Sequence, residues 1–465
     1  MKFKKIITLI CMFALTMSTA YAIQDKKAPD KKAPEEKTVY TNDVHSVFSL
    51  TDCINVAIEN NPDIRAAIYN EQAYKSKIAQ AWSNYFPTIS AGVQITRSGN
   101  RYTHAKSLPY GYSSMYTTMG YVPNISADML LFDFGKTKAN ADMAKNMYLA
   151  SKEDTKENIN NIIYNIKSAY FNILFAQAQV KVYEDTVKDY QLQLDQAWGF
   201  YKLGKKAKVD VVTADYNLGK AKLNLVKARS ILDVARIQLS MIMGIPEYKN
   251  YELSDDLILN SFDITPEKAV KMAMEVRPEL LSAEKIAKAA KMNLRAARRE
   301  FAPDLGVSGS YSYGLGNSYN ISSAQIGANL SYSALNILKT AKQVSQARAE
   351  YEKSLAEFDS TKNTVYFNVQ KAFNDLETDR ESIVIAKLAL DQAKEQYRQV
   401  TGRYKAGVGD AIELKDGENT YLNARLDLYN AILNYNVSFA NLEREIGVPL
   451  QFSEDMIIKL SQDEI

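Results

Sequence analysis

The 465-residue sequence is poor in the residues that form disulfides or bind transition metals: it contains 2 cysteines and 2 histidines. Cys11 lies in an N-terminal apolar run, so a mature chain without that run keeps Cys53 alone and forms no internal disulfide. One cysteine with His45 and His104 is too few for a metal cluster of ordinary spacing. We therefore predict no metal and no cofactor, and we expect Cys53 to be a small buried apolar residue.

Long apolar runs are also scarce, and the one at the N-terminus is short. It follows a basic start and ends in a small-x-small motif at Ala22, which predicts a secretory signal peptide at residues 1–22 with cleavage after Ala22. Lipidation of Cys11 is the alternative, but Ile10 is bulkier than the residue that normally precedes such a cysteine. No later stretch approaches the roughly 18 apolar residues of a transmembrane helix.

Neither sign of charge dominates. The chain has 57 Lys+Arg and 54 Asp+Glu, and removal of the three signal-peptide lysines makes the two equal. Since a nucleic-acid-binding protein would be expected to keep a basic excess, no nucleic-acid partner is predicted. Residues 23–47 contain the segment DKKAPDKKAPEEK, whose charge and proline content predict a disordered linker.

Internal repetition is abundant. Pro62 and Pro87 recur 216 positions later as Pro278 and Pro303, and beyond them the offset is 203. Pairs at the second offset include Ala169 and Ala372, Tyr201 and Tyr404, Gly204 and Gly407, and Gly244 and Gly447. We interpret the chain as a tandem duplication, with repeat 1 at 48–250, repeat 2 at 251–450 and a C-terminal tail at 451–465.

Each repeat contains two segments in which apolar and polar residues alternate. This period predicts strands at 88–97 and 122–132 in repeat 1 and at 304–313 and 323–333 in repeat 2. Four strands with one apolar face are too few for a closed barrel, because small barrels need about eight. Exported strands whose apolar faces have no helix to cover them suit the outer membrane, where only closed barrels satisfy the backbone. Closure then requires several copies: a trimer supplies twelve strands, and a dimer would supply only eight.

The rest of the chain has a seven-residue apolar period, which predicts long antiparallel coiled-coil hairpins at 136–244 and 339–447. From Lys136 to Lys202 the sequence has no proline and one glycine, and such a helix is roughly 100 Å long. The predicted fold is mainly α with a small β part. The apolar positions include Ile166, Ile173, Val180, Val187, Leu194 and Tyr201, and in the second copy Val369, Leu376, Ile383, Leu390, Tyr397 and Tyr404.

The duplicated plan, the LFDFGKTKA transition from strand to helix, the Tyr-x-x-Gly turns followed by Asp or Glu, and the MGIP ending resemble the TolC family of outer-membrane efflux proteins. The resemblance covers about residues 48–450. It implies a homotrimer with a twelve-stranded outer-membrane β-barrel, surrounded by outer-membrane lipid, and a helical α-barrel that extends into the periplasm.

The implied function is the exit duct of a tripartite efflux pump or type I secretion system in a Gram-negative bacterium. The implied partners are a periplasmic adaptor protein and an inner-membrane transporter of the RND or ABC class. No convergent catalytic group is visible, so an enzyme is not predicted. The alternative is a periplasmic coiled-coil adaptor or stalk without a pore, and the alternating strands argue against it.

The resemblance also assigns residues at the two turns. Glu413 and Asp416 would form carboxylate rings at the closed periplasmic aperture, with Asp210 as their counterpart in the first copy. The ordinary alternative is that acidic residues in a first helical turn suit the helix dipole. Tyr201 and Tyr404 would belong to the gate or simply pack in the heptad seam.

The turn segments Leu203-Gly204-Lys205 and Ala406-Gly407-Val408 correspond to the tips that contact adaptors in the family. The basic residue that the family carries after the second turn is replaced by Gly409. Lys205 or Lys206 in the first turn could substitute for it by pairing with Glu413 or Asp416.

Overall fold

The computed structural model describes residues 47–103, 113–245, 252–253, 265–315, 320–332 and 337–447. The signal peptide with Ala22, most of the linker and the C-terminal tail lie outside the described residues. These residues fall into two units. The smaller contains a parallel pair of short strands, β1 (Val47–Phe48) and β4 (Glu252–Leu253).

The larger unit contains two similar successions of helices and strands. The first consists of α1 (Leu50–Asn60), α2 (Pro62–Trp82), β2 (Thr88–Thr103), β3 (Ser113–Phe132), α3 (Lys136–Lys202) and α4 (Lys208–Met243). The second consists of α5 (Pro266–Val276), α6 (Pro278–Arg299), β5 (Asp304–Leu315), β6 (Asn320–Ser331), α7 (Ile337–Lys405) and α8 (Ala411–Ile446). The fold is mainly helical and duplicated, as predicted.

In each repeat, the junction between the two short helices is hydrogen-bonded to the carboxyl end of the long returning helix. Asn61 Nδ2 donates to the Ile242 carbonyl at 2.8 Å, and Arg277 Nη1 donates to the Glu445 carbonyl at 2.9 Å. In both repeats a proline follows at the first position of the next helix, where its missing N–H costs nothing. The connection is therefore built twice with different side chains.

The seven-residue seams are the core of the long hairpins. Ile166, Ile173 and Val369 are fully buried, and Ala221, Ala228 and Ala235 line the returning helix where it packs on α3. Tyr201 is the exception, because it lies in the last turn of α3 and is exposed. Cys53 is buried, as expected for a small apolar residue.

Among the described residues, no helix is both long enough and apolar enough to cross a membrane.

The four longer strands form one antiparallel sheet in the order β2-β3-β5-β6. Strands β2 and β3 are longer than predicted, because their backbone pairing continues to Thr103 and Ser113 past the point where the side-chain alternation stops. In the sheet register, Val93 faces Pro123, Ile125 faces Tyr311, and Gly309 faces Ile326. The predicted apolar positions of all four strands consequently share one face, and Gln94, Ser126, Ser310 and Asn329 lie on the other.

An aspartate links the sheet to the first long helix. Asp133 follows β3, is buried, and accepts hydrogen bonds from the Gly135 and Thr137 amides at 3.0 and 2.5 Å. It also accepts a bond from the Tyr85 hydroxyl at 2.6 Å. Two of these donors are at the amino end of α3, so Asp133 acts as the cap that Gly135 lacks the side chain to provide.

Candidate functional site

The two predicted turns have the same backbone geometry. The Gly204 amide donates to the Tyr201 carbonyl and the Lys205 amide donates to the Phe200 carbonyl, both at 2.9 Å. In the second turn the Gly407 amide donates to Tyr404, and Val408 donates to Arg403. This pair of backbone hydrogen bonds is the Schellman motif that ends a helix. It requires a positive φ at the glycine, which is 69° at Gly204 and 78° at Gly407.

The acidic residues follow these turns at the start of the returning helices. Glu413 is half-buried in the first turn of α8, Asp416 is exposed one turn further on, and Asp210 is half-buried in the first turn of α4. Glu413 and Asp210 also suit the helix dipole, because each lies in the first turn of its helix. The structure therefore places all three predicted carboxylates near the turns.

The cation that pairs with Glu413 differs from the predicted one. Arg403, in the last turn of α7, donates from Nη1 to Glu413 Oε1 at 2.7 Å. The Lys206 ammonium lies over the Tyr404 ring, 4.1 Å from its centroid. Within the protomer, Glu413 therefore pairs with Arg403, and Lys206 contacts the Tyr404 ring instead. The available sequence signal was that Arg403 directly precedes Tyr404 in the turn motif.

The backbone explains why position 409 carries no basic side chain. A Cβ at Gly409 would lie 2.7 Å from the Tyr404 amide nitrogen and 2.9 Å from the Arg403 carbonyl carbon, so no other residue fits without a backbone shift. The Gly409 amide donates to the Arg403 carbonyl at 3.0 Å. The tight second turn therefore excludes a basic side chain at position 409, and the cation that reaches Glu413 is Arg403.

The two turn tyrosines have different surroundings. Tyr404 is buried among Val400 and Leu414, with the edge of Phe200 from the first hairpin against its ring. Tyr201 is exposed and meets Trp198 edge to face. Packing explains the position of Tyr404, whereas the exposed Tyr201 has a free surface at the tip.

Apolar side chains are exposed at the tips of both hairpins. Leu203 is 71% exposed in the first turn, and Val408 and Ile412 are 73% and 67% exposed in and after the second. Exposed large apolar side chains grouped at one end of a protein indicate a contact surface. These tips include the segments that the sequence assigned to adaptor contact.

A buried polar layer above the second turn was not predicted. Glu418, in the second turn of α8, is 4% exposed and accepts a hydrogen bond from Gln193 Nε2 on α3 at 2.9 Å. Burial raises the pKa of Glu418 to about 7. Two helical turns further along the same contact, Arg425 donates to Asp185 at 3.2 Å. The available sequence signal was an acidic residue four positions after Leu414, which is buried beside Tyr404.

Among the described residues, a sheet with one apolar face and unpaired outer strands, continued by long helical hairpins, is typical of one subunit of a multi-copy membrane duct. The family model for outer membrane efflux proteins matches residues 53–245 and 269–448. The chain belongs to the outer membrane efflux protein family. This confirms the predicted outer-membrane channel over a stalk without a pore, and the family is one of transport channels rather than of enzymes.

Individual relatives agree with this assignment. The chain is 23% identical over 414 residues to the probable efflux pump outer membrane protein TtgC of Pseudomonas putida, covering 86% of this chain and 83% of TtgC. It is 23% identical over 414 residues to the alkaline protease secretion protein AprF of Pseudomonas aeruginosa, covering 86% and 84%. It is 26% identical over 410 residues to the outer membrane protein TolC of Escherichia coli, covering 83% and 80%.

A solved structure shows the same fold at low sequence identity. The Campylobacter jejuni CmeC outer membrane channel superimposes with a TM-score of 0.71 at 18% identity, covering 88% of each chain. The arrangement of helices and strands is therefore shared with a known channel.

Proposed function

We propose that three copies of this chain form a gated exit duct through the outer membrane, which receives its substrate in the periplasm. The duct works with a periplasmic adaptor and an energised inner-membrane transporter. TtgC is named as a probable efflux pump protein and AprF as an alkaline protease secretion protein, so both efflux and type I secretion fit a chain of this family.

The duplication itself carries the argument for assembly. Within one protomer Val182 of repeat 1 is fully buried, whereas its counterpart Ile385, 203 positions later, is 67% exposed. Conversely, Ala440 of repeat 2 is 2% exposed and its counterpart Ile237 is 52% exposed. If repeat 2 of one copy packs on repeat 1 of the next as the two repeats pack internally, both exposed residues become buried. Such a head-to-tail contact builds a ring when the rotation between neighbouring copies closes.

The sheet supports the same closure. Its outer strands β2 and β6 are free along one edge each within the described protomer, and they run in opposite directions because the sheet has an even number of antiparallel strands. The β6 edge of one copy therefore pairs antiparallel with the β2 edge of the next. Three copies give twelve strands, whose apolar face contacts lipid and whose polar face lines the lumen.

Assembly is tested by extracting the membrane fraction in mild detergent and running it unheated and heated on a denaturing gel. We expect a heat-sensitive trimer in outer-membrane fractions, because four strands leave open edges in a single copy. Recovery of a monodisperse monomer from the periplasm without detergent would refute the channel.

The aperture proposal is that Glu413 and Asp416 form rings of up to six carboxylates at the periplasmic end of the trimer. Such rings bind multivalent cations, so hexamminecobalt added on the periplasmic side of a planar bilayer should block the current. Glu413→Ala combined with Asp416→Ala should remove the block and leave trimer yield unchanged. Arg403→Ala should strengthen it, since Glu413 loses the cation that partly neutralises it.

The matched control is Asp391→Ala combined with Asp427→Ala, which removes the same charge from exposed positions on α7 and α8 away from the turns. This control should keep the parental block. If the Glu413/Asp416 variant is blocked as strongly as the parent, the acids serve the helix dipole instead and the aperture assignment is wrong.

A further inference from the structure

A buried carboxylate lies where the two helical hairpins of one protomer meet. Glu418 on α8 accepts hydrogen bonds from Gln193 and Tyr190 on α3, while its Oε1 atom is buried with no hydrogen-bond partner among the described residues. Burying a carboxylate in this way is costly, and an apolar side chain would pack at lower cost. Packing alone therefore does not explain why this buried position carries a carboxylate.

We propose that Glu418 is a proton-controlled latch between the two hairpins. Its neutral carboxyl group holds α8 against α3, and ionisation weakens this contact and favours separation of the hairpin tips. The role of the latch in opening rests on the gated duct proposed above, whereas the contact between α8 and α3 lies within one protomer.

The environment offers Glu418 no strong compensation for a negative charge. The Asp189 carboxylate on α3 repels it, while the Arg425 guanidinium on α8 is engaged by Asp185. From α4, the apolar Leu218 and Ala221 pack against Tyr190. The charged or titratable groups that face Glu418 or its neighbour Asp189 are Asp185, Lys188, Asp189 and Tyr190 on α3, Tyr397 and Lys405 on α7, and Tyr421 and Arg425 on α8.

The direction of the pH effect follows from the burial. Burial, aided by the Asp189 carboxylate and opposed by the hydrogen bonds from Gln193 and Tyr190, raises the pKa of Glu418 to about 7. Once the hairpins separate, the carboxyl group meets water and titrates near its ordinary pKa of about 4.3. The contact is thus strongest below the ordinary pKa, weakens as the pH rises, and is weakest above about pH 7. Between pH 6 and 8 the opening equilibrium should increase about tenfold.

The test is hydrogen–deuterium exchange on the intact trimer in detergent, with protection factors corrected for the intrinsic pH dependence of exchange. In the parent, the amides around Gln193 on α3 and around Glu418 on α8 should lose about tenfold protection between pH 6 and 8. Glu418→Gln is neutral at every pH and should keep nearly constant protection. Glu418→Met, of similar length, is a second neutral variant in case the glutamine disturbs assembly.

The matched control is Asp427→Asn, an exposed carboxylate on the same helix, which should retain the parental pH dependence. If Glu418→Gln and Glu418→Met lose protection with pH as the parent does, Glu418 is not the latch. Equal protection of the parent at pH 6 and 8 would also refute the proposal. Because exchange reports the contact whether or not current flows, a failure here is distinct from a failure of the channel, which bilayer recordings test.

Discussion

Replacing Asp133 by alanine tests how the strand-to-helix transition is held. The side chain accepts from two main-chain amides and from the Tyr85 hydroxyl, and it is 1% exposed. Burial raises the pKa of Asp133, but the bonds from Thr137, Tyr85 and Gly135 outweigh this and keep the pKa below its ordinary value. Burial and the Asp133 carboxylate raise the pKa of Tyr85 to about 12, so its hydroxyl remains a donor.

Asp133→Ala leaves three donors without their acceptor. A buried donor without a partner costs about 1–3 kcal/mol, and water reaches the Tyr85 hydroxyl and the Gly135 amide more easily than the Thr137 amide. We therefore expect a loss of about 3–5 kcal/mol per protomer. Asp133→Asn keeps one acceptor oxygen but presents an amide group to a donor, so its loss should be smaller.

The assay is the guanidinium midpoint of the detergent-solubilised trimer, followed by circular dichroism. Asp154→Ala removes an exposed carboxylate on the same helix and should change stability by no more than about 0.5 kcal/mol. Since the folded-state pKa of Asp133 is lowered, its contribution is complete above the ordinary carboxyl pKa and disappears as the pH falls through the lowered value. The gap between parent and Asp133→Asn should accordingly shrink below about pH 4. Equal midpoints for Asp133→Ala and Asp154→Ala would refute the capping argument.

Two further variants test the sheet and the repeat. Val93→Arg places a charge on the apolar face, where it costs about 2–4 kcal/mol in lipid, whereas Gln94→Arg places it on the polar face. The yield of assembled trimer should therefore fall for Val93→Arg alone. Equal yields for the two variants would contradict the assignment of the two faces. Gly447→Ala should lower the temperature at which the trimer dissociates, because φ at Gly447 is +87° and the added Cβ would lie 2.9 Å from the Arg277 Cα. The control Gly199→Ala adds a Cβ with nothing within 4 Å, so it should leave that temperature unchanged or raise it.

The sequence predicted the features that rest on a repeated pattern. The period of seven located the long helices, and the period of two located the strands and their apolar face. The turn glycines were recognised because two copies carried them at matched positions. Strand ends were less predictable, because pairing continues beyond Arg97 on backbone hydrogen bonds that leave no alternation in the side chains.

The contacts of the site were harder to predict because they join residues far apart in the chain. The pair of Arg403 and Glu413 depends on how tightly the second turn closes, and this is set by a backbone approach at Gly409. Glu418 meets Gln193 only when α8 lies against α3. Neither partner shares a local motif with the other, so a single sequence leaves the pairing undetermined.

The duplication explains where these polar contacts occur. The counterpart of Glu418 in repeat 1 is Asp215, and the counterpart of Gln193 in repeat 2 is Gln396; both are exposed in the protomer. If copies pack by the rule that relates the two repeats, this second pair belongs to the contact between neighbouring subunits. Around each trimer, the Glu418–Gln193 contact within a subunit would then alternate with the Asp215–Gln396 contact between neighbouring subunits. Because the two kinds of contact carry different side chains, one can loosen while the other holds, as a duct that opens at one end without dissociating requires.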